Sequence, residues 1–138
     1  DMAASPLTLL HGDFRWGNLF IKDSQPIVFD WQFVSQGQGV YDLAYFMGVS
    51  LTVDDRRSLH DSLLMLYLET LQRHGVHGID MNWIRMGYQR ASLLAFASFV
   101  IGAATCEDST HARQVHQTAL YRLSTAILDT AEPTILRA

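Results

Sequence analysis

The sequence predicts a mainly α-helical domain with a small β-hairpin region near its start, an α+β arrangement forming one domain over residues 1–138. Three observations carry this. Ahead of Val40 the apolar residues come in short runs broken by polar turns, the pattern of small strands. From Val40 onward their spacing shifts to three and four residues, the helical period. No internal repeat, long linker or low-complexity tract divides the chain, and 138 residues suit one domain with a real core.

The strands come first. Thr8-Leu9-Leu10, Leu19-Phe20-Ile21 and Ile27-Val28-Phe29 are β-rich and end at polar residues. Tyr41 to Met47 is apolar nearly all round, which suits a helix inside the domain. Thr52 or Asp54 is a good N-cap for a second helix. Leu59, Leu63, Tyr67 and Leu71 then share one face, and Arg73-His74-Gly75 ends it with cations and a residue able to cap in the left-handed region. Asp80 caps a third helix with the stripe Ile84, Tyr88, Ala91, Ala95 and Phe99. A fourth starts near Ser109, turns Leu120, Leu123 and Ile127 inward, and stops at Pro133.

Composition narrows the function classes. Net charge is −4 with no basic run, which argues against nucleic-acid binding. Hydrophobic residues make up 49% of the chain, the upper end of ordinary usage, and the positive mean hydropathy of +0.07 predicts apolar surface that something else covers. The lone cysteine, Cys106, excludes an internal disulfide and fits a reducing cytoplasm, where the absence of a secretory signal also points. The longest uncharged stretch, Ala91 to Cys106, is shorter than the roughly 20 residues of a membrane span, so a buried core helix is expected there.

The chemistry concentrates in His11-Gly12-Asp13-Phe14-Arg15-Trp16-Gly17-Asn18, followed by Asp30. Asp13, Asn18 and Asp30 lie at the ends of short strands, which hold their ends still. Phosphoryl transfer needs a carboxylate to accept a hydroxyl proton and oxygen ligands to hold magnesium on the phosphates, and this set supplies both. The plainer reading is that Asp and Asn after strands are turn residues bonded to their own backbone. Gly12 and Gly17 are expected to permit tight turns. Trp16 either lines a pocket or wedges the loop against the helices. His74 and His77, three apart beside glycines, read as a surface turn, and Glu107 with His111 as a local helix pair.

These residues, with Asp30-Trp31-Gln32 and Tyr41-Asp42-Leu43-Ala44, resemble the aminoglycoside phosphotransferase and choline kinase-like family, which has a protein-kinase-like fold. The spacing from Asp13 to Asn18 equals that of the protein-kinase catalytic loop. The resemblance implies that Asp13 is the catalytic base, that Asn18 and Asp30 are the metal and cofactor ligands, and that His11 and Asp42 support the loop. Arg15 stands where protein kinases carry a lysine that steadies the transferred phosphate, a catalytic role; a solvated arginine or a partner for a carboxylate is the alternative. ATP and Mg2+ would be the cofactors, and a small-molecule hydroxyl the acceptor. In the family the helical part builds the acceptor pocket, making Trp83, Tyr88, Glu107 and Asp108 candidates there, although aromatic stripes at helical spacing are usually core.

The family's nucleotide-binding lobe precedes the catalytic loop, whereas ten residues precede His11 here. The chain is therefore expected to be the C-terminal, catalytic and acceptor-binding lobe, inactive alone, whose apolar surface the missing lobe or a dimer partner covers. Gln32, where protein kinases have glycine, argues against activation-loop switching of their type. The competing classes are a kinase-like scaffold without activity and a metal-dependent phosphoesterase, which would need further histidines near Asp30.

Overall fold

A computed structural model describes residues 6–105 and 109–131. Among the described residues four short strands, with a 3₁₀ turn at Trp16–Asn18 between the first two, precede four α-helices: β1 (Thr8–Leu10), β2 (Leu19–Lys22), β3 (Gln25–Val28), β4 (Ser35–Gly37), then α1 (Val40–Ser50), α2 (Val53–Arg73), α3 (Met81–Thr105) and α4 (Thr110–Thr130). The domain is mainly α with a small β region, as its apolar spacing predicts. The strands form two antiparallel pairs, β1 with β4 and β2 with β3. The β2–β3 hairpin turns through Asp23 and Ser24, both at positive φ, a geometry that short polar side chains tolerate. Strand β4 was not expected: Ser-Gln-Gly has no apolar alternation, and it is a strand because Leu10 pairs with Ser35 and Thr8 with Gly37.

The helix boundaries follow local chemistry. Thr52, Asp80 and Ser109 each accept a backbone N–H three residues on, at 3.1, 2.8 and 3.1 Å. α2 ends at Arg73, and Gly75 follows at φ +82°. The core gathers Val40, Ala44 and Met47 of α1 with Leu64 of α2 and Ile84 and Tyr88 of α3. A second cluster joins Tyr45, Ala95 and Leu123.

Two helix faces are rotated from expectation. On α2 the deepest residues are Arg56, Leu64 and Leu68, whereas Leu59 is exposed. Arg56 is drawn inward by Asp129 of α4, to which it donates through Nη2. On α4 the buried line is Ala119, Leu123 and Ala126, with Leu120 and Ile127 half-buried beside it. Small residues there let α4 approach the other helices closely. Cys106, Glu107, Asp108 and Pro133 lie outside the described residues. No helix among the described residues is long and apolar enough to cross a membrane.

Candidate active site

The loop after β1 carries His11 to Asn18 along α1, from Asp42 in its first turn to Ser50 at its end. Gly12 sits at φ +84°, and a Cβ there would collide with the Phe33 carbonyl, so glycine is required on two counts. Gly17 does not have this role: its φ is not left-handed, and its missing side chain instead leaves room for the Arg15 guanidinium.

Two anchors hold the loop. The Asp42 carboxylate, in the first turn of α1, accepts the backbone N–H of His11 at 2.7 Å and of Gly12 at 3.0 Å. The buried His11 ring uses both nitrogens: Nδ1 accepts the Asp13 N–H at 3.2 Å, so Nε2 carries the proton it donates to the Phe29 carbonyl at 2.8 Å. Trp31 packs on the ring at 4.8 Å. His11 therefore ties the loop to the strand that leads to Asp30, and it faces protein on every side named.

Asp13 is 7% exposed and densely partnered. Asn18 Nδ2 donates to its Oδ2 and to its backbone carbonyl, each at 2.8 Å. Tyr45 donates its hydroxyl to Oδ1 at 2.7 Å. Arg15 Nε lies 3.1 Å from both oxygens, so of the two expected roles for Arg15 the structure displays the carboxylate partner. Burial, then the hydrogen bond to Asp13, pushes the Tyr45 phenol well above its ordinary range, so it stays a donor.

Asn18 and Asp30 are brought together by the hairpin. The β2–β3 register pairs Leu19 with Val28, and the Phe29 N–H continues it to the Asn18 carbonyl at 3.1 Å. Asp30 thus follows directly opposite the Gly17–Asn18 step. It adopts φ +64° and is exposed, with a long 3.5 Å contact from Gln32. Asn18 commits its amide nitrogen to Asp13, which leaves its Oδ1, an acceptor, as the atom it could offer a metal. Among the described residues no three His, Cys, Asp or Glu side chains converge as a metal cage. One amide oxygen and one carboxylate instead fit magnesium, which keeps waters and takes phosphate oxygens for the rest of its shell.

An open cleft of about 980 Å3 lies over Asp13, a size suited to an organic molecule. Rings line it in sequence: Tyr41 to Tyr45 at 6.0 Å, Tyr45 to Phe99 at 5.7 Å and Phe99 to His116 at 5.8 Å. Trp16 borders the cleft and also packs on Phe46 at 5.3 Å, so it serves in both of its expected roles. Tyr88 and Trp83 do not reach the cleft. Tyr88 is wholly buried against His60 of α2, and Trp83 packs on the core. His74 and His77 are exposed beyond α2.

Sequence reasoning overlooked Tyr45, which reads as one more core aromatic. Its signal was its position three residues after Asp42, on the same helical face turned toward the loop. It also overlooked Ser50, whose Oγ accepts the Trp16 N–H at 3.0 Å.

No curated protein and no solved structure matches this chain. Residues 1–79 of the 138, which hold the whole loop, the hairpin and Asp42, match the profile of the phosphotransferase enzyme family, and the chain belongs to that family.

Proposed function

We propose that the protein is a small-molecule kinase that moves the γ-phosphoryl group of ATP to an acceptor hydroxyl, with Asp13 as base. The observation that carries this is a buried carboxylate, oriented by donors from two elements, at the floor of a cleft sized for an organic acceptor. The acceptor hydroxyl would lie against Asp13. Its oxygen forms the new bond to phosphorus as the bond to the ADP oxygen breaks, and its proton passes to the carboxylate. Asn18 Oδ1 and Asp30 would hold Mg2+, which offsets charge on the phosphates when bound. Arg15, freed from Asp13 by the incoming hydroxyl, would face the transferring group.

In this reading the chain is the catalytic and acceptor-binding lobe, and a nucleotide-binding lobe outside it completes the site. Support comes from the exposed apolar side chains of the β region, among them Phe20, Ile27, Phe29, Trp31 and Phe33, a surface that a second lobe would cover.

The test is a phosphotransfer screen of hydroxylated metabolites and antibiotics, run on this chain with and without an upstream lobe. Asp13→Asn should cut turnover about 10²- to 10⁴-fold while MgATP binding persists. Turnover indifferent to Asp13 would leave a non-catalytic scaffold as the better account, and strong activity of the isolated chain would remove the two-lobe reading.

A further inference from the structure

We infer that Tyr45 is a positioning residue for Asp13, fixing the carboxylate so that the acceptor hydroxyl meets it from the Arg15 side; this rests on the kinase reading above. The Tyr45 hydroxyl donates to Oδ1 at 2.7 Å, and Asn18 donates to Oδ2 at 2.8 Å. The two donors come from different elements, α1 and the 3₁₀ turn at Trp16–Asn18. Rotation of the carboxylate about Cβ–Cγ would break both bonds at once.

Tyr45 is well suited to hold an atom in place. It is 7% exposed, and its ring lies between Tyr41 and Phe99 and in one cluster with Ala95 and Leu123. Arg15 is different. Its side chain is 39% exposed, and one nitrogen is shared between both carboxylate oxygens at 3.1 Å. An acceptor can displace Arg15 without disturbing Tyr45 or Asn18. The alternative is that Tyr45 merely fills the core. A phenylalanine would fill it equally, and a core filler has no need to present a hydroxyl to a buried carboxylate.

The deciding variant is Tyr45→Phe, which removes the hydroxyl and keeps the ring. In the whole protein, ADP release from MgATP is measured with water as acceptor and then with the best acceptor from the screen. We expect kcat to fall about tenfold, the scale of a small misplacement of a reacting group. KM for MgATP and the thermal midpoint should stay near wild type. Tyr45→Leu should lose the same kcat and also stability, separating hydroxyl from packing. Wild-type kcat in Tyr45→Phe, with turnover still dependent on Asp13, overturns the inference alone. A fall in kcat matched by loss of folded protein overturns it too. Absence of any Asp13-dependent turnover overturns both this inference and the kinase reading.

Discussion

Asp42 accepts the backbone N–H groups of both His11 and Gly12, so its removal takes the partner from two donors of the loop. Asp42→Ala should destabilise the protein by about 2 kcal/mol, the scale of unpaired polar groups, and should lower turnover further by loosening Asp13. Chemical denaturation checks the first effect. A variant as stable as wild type would show that water substitutes for the carboxylate. The roles of such residues were unequally legible. Asp13, Asn18 and Asp30 stand out in the sequence because oxygen-bearing side chains follow short apolar runs in that spacing. Tyr45 does not, since its hydrogen bond spans 32 positions and depends on how α1 settles under the loop. Tyr88 misleads for the converse reason: it shares a stripe with Phe99, but at its level the facing neighbour is α2, not the cleft.

Among the elements, the seam of α2 and α4 has a chemistry of its own. Asp129 receives Arg56, which is 2% exposed, and Arg57, at 2.8 and 3.0 Å. The Arg57 hydrogen bonds foremost, with help from Arg56, pull the Asp129 carboxyl from 3.8 down to about 2. A depressed carboxyl stabilises the fold above its unfolded value and loses that contribution as pH falls through its folded one. Acid unfolding should therefore show a component between about pH 4 and pH 2 that Asp129→Asn lacks. Asp129→Ala leaves a buried guanidinium without its carboxylate and should cost roughly 3 kcal/mol. If the acid limb were identical in wild type and Asp129→Asn, the ion pair would have no share in it. Helix ends were readable from their caps, because Thr52, Asp80 and Ser109 act locally. Faces were read less well. Inward Arg56 on α2 requires a partner 73 positions away, which no window of local periodicity contains.

Across the whole molecule, burial acts on the tyrosines together. It raises Tyr45, Tyr88, Tyr67 and Tyr41 above their ordinary value of 10.0, with the Asp13 hydrogen bond adding to the effect at Tyr45. In the unfolded chain these phenols ionise near that value. In the folded chain burial holds their protons to higher pH. Stability should be complete below pH 10 and decline as pH rises beyond it. Lys22 is the sole lysine, so amine titration contributes little in that range. Thermal unfolding from pH 8 to pH 12, followed with phenolate absorbance, tests this. A midpoint that holds steady to pH 12 would mean the tyrosines ionise within the fold.

The β2–β3 hairpin works as a ruler. Asn18 and Asp30 are distant in sequence, yet their separation in space is set by one ladder and a two-residue turn at Asp23 and Ser24. The side chains at that tip answer to the turn, whose positive φ at Asp23 and Ser24 suits glycine or a short polar residue. The hairpin's length answers to the site. An added or lost residue shifts the register by one, turns every β3 side chain to the other face and carries Asp30 away from Asn18. The spacing of two oxygen donors at one end of the hairpin is thus written, in residues counted rather than residues chosen, at the other.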